Sequence, residues 1–489
     1  MSLLSRVGKG SSIYTITAFL QRGIGFLLLP LYTRYLTPDD YGILAVVSAV
    51  STFLSILCML SLNGSMTRYY FEYRDKPSLL KEFWGTVLTF ILMISTSFGI
   101  LLLVLGEYIL KPVIGDIPYW PFMALGVSAV IFQPFFSIYL SLLQTTEQSF
   151  AYGVYSIAQF LISVLLIISL VVFAGWRAEG PLAGSLIVAI LFFFVSFWGM
   201  RNQIKFGIKW KYLKEALRYS LPLVPHDLSA QVSSVVNRMF LNSFINTASA
   251  GLYNIGFTFG SIMSFVTMSV NRAYVPVFMD VMAKKNMSEM ENLRNIGLFL
   301  VVIYCLIGTA ISFFSREVLV LFTTRAFHES YVIIPYITFT FVLNGIYFIY
   351  VNILFFVKKA TKFVAIGTFS GAIVNVLMGW WIIPKLGITG AAVTALFAQL
   401  VVLVIIFMIG RMYDEIRWHH LKFGIIFLIS FLPSVIVNKI NGLNCLLFVG
   451  IKIILMIILL AILSFIAWGS GTYLIQKGYH ITRGLFQRL

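Results

Sequence analysis

The chain has 489 residues, 60% of them hydrophobic and only 11% charged, with a mean hydropathy of +0.94 and a formal net charge of +17. So little charge excludes an ordinary soluble protein of this length, and apolar runs of about 20 residues recur from end to end, each sufficient for one membrane-crossing helix. The runs are continuous rather than alternating, which excludes a β-barrel, and the positive balance is the basic surplus that orients membrane proteins rather than a signal for nucleic acid.

Fourteen spans are predicted, near 11–36, 40–66, 83–105, 119–143, 150–173, 181–200, 219–244, 250–278, 294–314, 331–357, 362–383, 388–410, 422–437 and 445–468. The first follows Arg6 and Lys9, is too long for a signal core and carries Gln21-Arg22 at its centre, so no cleavable leader is expected. The connections alternate in character. One side collects 24 of the 35 Lys and Arg residues, among them Arg68 to Lys81, Arg201 to Arg218, and the C-terminal tail; the other side holds six. The positive-inside rule then places both termini in the cytoplasm. Residues 201–218 alternate basic side chains with Ile204, Phe206, Ile208, Trp210 and Leu213 and read as an interfacial helix, the competing reading being a solvated basic loop. Cys58, Cys305 and Cys445 stand far apart inside apolar runs and read as packing residues.

The chain also repeats itself. Ser61-Leu62-Asn63 answers Ser269-Val270-Asn271, Gly180–Ser185 answers Gly387–Ala392, and Gly42 answers Gly251, all at offsets of about 208 residues. Spans 1–6 thus match spans 7–12 in the same orientation. The expected organisation is an N-lobe over 1–200, a cytoplasmic interfacial linker over 201–218, a C-lobe over 219–410, two extra spans over 411–468, and a cytoplasmic tail over 469–489. The fold class is all-α and polytopic.

Charge inside the spans carries the chemistry. Arg22, Arg34, Arg238, Arg272 and Lys452 interrupt apolar stretches, and the only acid read at comparable depth is Asp227. A charge in hydrocarbon costs about 2.5–3.5 kcal/mol even on the lenient insertion scale, so such residues face a cavity or a partner. With so few internal carboxylates, the expected partner is an anion brought from outside. Arginine suits phosphate because its planar fork binds bidentately and stays charged. Gln21, Asn63, Asn237 and Asn271 extend the candidate substrate set, with Gln231 and Asn254 as further polar neighbours. The competing reading is that Arg34 and Arg272 snorkel to headgroups; Lys452, near the start of span 14, reads as a snorkelling or packing residue. In Leu221-Pro222-Leu223-Val224-Pro225-His226-Asp227 two prolines weaken the helix start, and His226 with Asp227 are candidates for coupling to Na+ or H+; a bent helix start is the alternative. No nucleotide loop, catalytic carboxylate pair or metal-ligand spacing is present, so no cofactor, no metal and no enzymatic activity are expected.

Leu29-Pro30-Leu31-Tyr32-Thr33-Arg34-Tyr35-Leu36-Thr37-Pro38-Asp39-Asp40-Tyr41-Gly42 resembles the signature of bacterial polysaccharide transporters, the O-antigen-type flippases of the multidrug/oligosaccharidyl-lipid/polysaccharide exporter superfamily. Leu221–His226, Arg238 and Gly251-Leu252-Tyr253 resemble the matching later segment. The resemblance runs over essentially the whole chain. It implies two six-helix lobes with two extra helices and a cavity lined by spans 1, 2, 7 and 8. It further implies transfer of an undecaprenyl-pyrophosphate-linked oligosaccharide from the cytoplasmic to the periplasmic leaflet. One position departs: the family often has an acid before the arginine at Arg238, where this chain has Asn237.

The leading expectation is therefore a lipid-linked oligosaccharide flippase working among membrane lipids as a monomer, with a glycan polymerase as a candidate contact and no nucleic-acid partner. A cation-coupled drug antiporter would place carboxylates where this chain has arginines. A membrane-bound polymerase or transferase would need a larger extramembrane loop than any here.

Overall fold

A computed structural model describes residues 13–468, apart from 14, 15, 18, 22, 358, 359, 361, 415 and 440–444. All regular structure among the described residues is helical. By contacts the chain divides into two compact units, Met1–Leu252 with Phe322–Ala326, and Tyr253–Leu321 with Phe327–Leu489.

The first unit opens with α1 (Leu29–Tyr35), which is followed by a tight helix start. Thr37 caps α2 (Pro38–Met59): its hydroxyl accepts from the Asp40 N–H, and Asp40 Oδ2 accepts from the Thr37 N–H at 2.8 Å. Pro38 at the first helical position needs no N–H partner there, which completes the start signal. Arg177 donates to both Asp40 (3.1 Å) and Thr37 (3.0 Å), tying this turn to the connection that precedes α7. α2 stops at Leu60 and Ser61, two consecutive left-handed residues (φ 46° and 56°), and the chain resumes as α3 (Leu62–Tyr73). Non-glycine residues avoid that region, so the break is held by its surroundings. α4 (Pro77–Ile114), α5 (Ala124–Thr145), α6 (Ser149–Ile168) and α7 (Glu179–Met200) complete the apolar helices of this unit.

The basic segment after α7 contains the expected amphipathic helix, over a shorter range. α8 (Trp210–Ser220) buries Tyr212, Leu213, Ala216 and Ser220 and exposes Lys211, Lys214 and Arg218. Its apolar face joins a core with Met66, Phe83, Phe135, Phe136, Tyr139 and Phe192. Residues 201–209 are not helical but are pinned to the start of α4. The Lys205 N–H bonds the Lys81 carbonyl at 3.0 Å, and Glu82 takes Lys209 at 2.5 Å and Lys205 at 3.6 Å. A 3₁₀ turn at Leu221–Leu223 leads into α9 (Val224–Phe244), which packs along α2.

The chain continues through α10 (Thr247–Gly260) and α11 (Ile262–Lys284). α12 (Met287–Phe313), α13 (Ser315–Phe322), α14 (Ile334–Phe356), α15 (Lys362–Arg411), α16 (His420–Lys439) and α17 (Cys445–Trp468) follow. The core of the second unit includes Phe278, Val301, Cys305, Phe339, Ile353, Ile406, Trp418 and Leu463. Cys58 and Cys305 are buried free thiols, as packing residues should be.

Among the described residues ten helices are long and apolar enough to cross a membrane, against fourteen predicted spans. Spans 362–383 and 388–410 run together as α15, whose backbone bends at Gly387 (φ 55°). Span 1 lies partly outside the described residues. α9 and α11 fall outside the ten; they carry Asp227 with Arg238 and Arg272 with Asp280. The two helices that polarity removes from that set are those on which the sequence places candidate site residues.

Candidate functional site

In the first unit the described candidate residues lie on α1, on the helical residues before it, on α3 and on α9. Ser61, 6% exposed in the left-handed break before α3, donates its hydroxyl to Asp227 Oδ2 at 2.6 Å. This bond ties the break in α2–α3 to the first turn of α9. Asn63, two residues further on, is half-buried. Further along α9, Asn237 is fully enclosed and Arg238 is half-buried. Near its end Asn242 donates to the Ile114 carbonyl at 2.7 Å and accepts from Thr247 Oγ1 at 2.9 Å. α9 is thus fixed at both ends by side-chain hydrogen bonds, which holds Arg238 in register between them.

Gln21 is half-buried and donates to Ser156 Oγ at 2.8 Å and to the Ser156 carbonyl at 2.9 Å, so it is engaged with α6. Arg34 is exposed in the last turn of α1, beside Thr33, whose carbonyl accepts from Thr324 at 3.0 Å. Arg22 and the His226 side chain lie outside the described residues.

In the second unit Arg272 is exposed near the middle of α11, ten residues after its start. Asn271 accepts a 3.0 Å hydrogen bond from Asn352 of α14, itself 2% exposed. The Ser269-Val270-Asn271 segment stays helical, whereas its counterpart Ser61-Leu62-Asn63 begins in a break. The repeated sequence therefore adopts two local forms, and in the first the serine is held by a carboxylate.

Of the two readings of Lys452, the structure takes the packing one. Lys452 is fully buried and donates to both Glu317 oxygens, at 2.7 and 2.8 Å, with the Phe314 ring 6.0 Å away. It does not snorkel, and its counter-charge is internal. Glu317 escaped notice because it sits beside Arg316 near a predicted span end and meets Lys452 only through folding. Ser61 and Asn352 were also missed as site partners. Ser61 had a signal, its place in the repeated tripeptide; Asn352 had none beyond being polar in an apolar run.

The family described as "Polysaccharide biosynthesis protein" matches residues 7–282. A protein of the Lsg locus of Haemophilus influenzae is 24% identical over 292 residues, 58% of this chain and 68% of that protein. Among solved structures, the lipid II flippase MurJ in an inward closed conformation aligns with a TM-score of 0.71 at 16% identity, over 92% of this chain and 98% of that one. An inward-facing multidrug resistance MATE family transporter of the MOP superfamily aligns with a TM-score of 0.64 at 12% identity, over 82% and 97%. More than half of the chain lies in the family match, and the chain belongs to that polysaccharide biosynthesis family. It is a multi-pass membrane protein with the fold that the MurJ and MATE structures share.

Proposed function

We propose, from this membership, that the chain is a flippase of the bacterial inner membrane. It moves an undecaprenyl-pyrophosphate-linked oligosaccharide, the repeat unit of an O-antigen, capsule or exopolysaccharide, from the cytoplasmic to the periplasmic leaflet by alternating access. The observation that carries this reading is the placement of Arg238 and Arg272 well inside the two long helices that are too polar to count as ordinary spans. Guanidinium groups there recognise a pyrophosphate by paired charge-assisted hydrogen bonds. The fold shared with a lipid II flippase is consistent with a lipid-linked anion as cargo. Arg22, Arg34, Asn63 and Asn271 are further proposed substrate-binding residues. Gln21 and Asn237, both engaged with protein, act by positioning. Asp227, with His226, is the proposed ion-coupling group. Both termini and α8 face the cytoplasm.

Leaflet transfer in reconstituted vesicles tests the reading. The wild-type chain should move undecaprenyl-pyrophosphate-linked oligosaccharide. Arg238→Ala and Arg22→Ala should abolish transfer with the protein still inserted, and Arg238→Lys should restore it only in part. Full transfer by a stably inserted Arg238→Ala, Arg22→Ala double variant would overturn the anion site. Glycan chain growth in the same vesicles, without transfer, would identify an enzyme instead.

A further inference from the structure

The first unit contains a cavity of about 360 Å³ that none of the described arginines lines. Its polar lining comes from α2 (Ser48, Thr52, Ser55), α5 (Gln133), α7 (Ser185) and α9 (Gln231), with no charged residue among the described lining side chains. We propose that this cavity reads the sugar hydroxyls of the cargo: it is a subsite for a neutral glycan, separate from the arginines that hold the pyrophosphate. The inference rests on the flippase reading.

Three observations carry it. Ser48, Thr52 and Gln133 lie midway along helices that are candidate membrane spans, yet their side chains are exposed. Such groups are poorly placed against hydrocarbon and well placed against a water-filled cavity that admits a polar ligand. The polar face of α5 continues beyond the cavity through Ser137, Ser141 and Gln144, at one-turn spacing, with Ser137 and Gln144 exposed. A row of hydroxyls and amides along one helix suits an extended chain of sugars. Finally, Ser51, which also lines the cavity, has a buried hydroxyl with no hydrogen-bond partner among the described residues. Thr52 next to it bonds back to the Ser48 carbonyl at 2.8 Å, the usual resort of a helical hydroxyl.

The chemistry selects the ligand class. Hydroxyl and amide groups both donate and accept, as sugar hydroxyls do, so they match neutral sugars one group at a time. A cationic drug would call for a carboxylate, and the described lining of the cavity offers none. The volume falls within the range of small-molecule sites. Gln231 and Arg238 are seven residues apart on α9, hence on one face and about 10 Å apart along the axis. A ligand whose pyrophosphate engages Arg238 can therefore lay its first sugars toward Gln231.

Binding to the purified full chain in nanodiscs tests this with three probes. One is the undecaprenyl-pyrophosphate-linked oligosaccharide that accumulates in cells lacking this chain; the second is undecaprenyl pyrophosphate; the third is the free oligosaccharide released by mild acid. Thr52→Val and Gln133→Leu both alter exposed positions, and matched thermal midpoints would verify their folding. Each should weaken the first probe about ten-fold and leave the second within about two-fold, because a hydrogen-bonding pocket discriminates through the hydroxyls it pairs. The free oligosaccharide should compete weakly. If both variants bind the first probe like wild type, the glycan subsite is wrong while the flippase reading stands. Free oligosaccharide binding as tightly as the lipid-linked form would make the cavity a site for soluble sugar and overturn the proposal. A wild-type chain that binds neither lipid probe would remove the flippase reading itself, and this inference with it.

Discussion

Glu317 and Lys452, 135 residues apart in the chain, meet as a bidentate ion pair in which the ammonium is fully buried. The pair matters through what its loss leaves behind. Removing one partner strands the other charge, at about 3–5 kcal/mol, whereas replacing both with apolar side chains is often neutral. Glu317→Met and Lys452→Met should each lower the thermal midpoint of the purified protein sharply, and the double variant should recover most of the loss. A double variant as unstable as the worse single would refute the pairing argument.

Gly42 and Gly251, counterparts in the internal repeat, are packed reciprocally within the first unit. A Cβ on Gly42 would overlap the Thr247 carbonyl, and one on Gly251 would overlap the Pro38 carbonyl. Both obstacles are backbone, so neither can swing aside. Gly42→Ala and Gly251→Ala should therefore reduce the yield of folded protein and its melting temperature. Gly424→Ala in α16 is the control, since nothing among the described residues lies within 4 Å of its Cβ position. There the change should be neutral or stabilising by up to about 1 kcal/mol, from helix propensity alone. Equal effects at all three positions would show that close backbone packing is not the cause.

The Ser61–Asp227 hydrogen bond separates structure from coupling. Asparagine at 227 retains an oxygen to accept from Ser61 but cannot carry the charge. Asp227→Asn is thus expected to keep its thermal midpoint and its downhill transfer while losing stimulation by a proton or sodium gradient. Ser61→Ala should instead destabilise by about 1–3 kcal/mol, since it leaves a carboxylate oxygen short of a donor beside a left-handed backbone. Gradient-driven transfer in vesicles and a melting curve read the two effects independently. Undiminished gradient dependence in Asp227→Asn would remove the coupling role.

Topology is open to chemical labelling. A cysteine at Lys211, on the exposed face of α8, should resist a membrane-impermeant thiol reagent in intact cells and react after permeabilisation. Ready labelling in intact cells would reverse the orientation derived from the basic asymmetry.

Much of this architecture is local and therefore legible in the chain itself. Long apolar runs make helices in lipid whatever surrounds them, and the Thr37-Pro38-Asp39-Asp40 start signal acts within one turn. The amphipathic pattern of α8 is likewise local, because alternating faces need only one apolar surface to dock on. The arginines on α9 and α11 stood out because charge is rare in such runs. Tertiary structure decided what each polar group meets. Lys452 read as either a headgroup anchor or a packing residue until Glu317 was brought to it, and Asp227 gained its partner from a break 166 residues earlier. That break, at Leu60-Ser61, has no glycine or proline to announce it; only its surroundings hold two ordinary residues left-handed. The neutral cavity shows the same division. Serines, glutamines and one threonine scattered over four helices carry no motif, and helix packing alone turns them toward one space. Helix formation is decided by a chain's own neighbours, whereas pairing and cavities are decided by which faces come together.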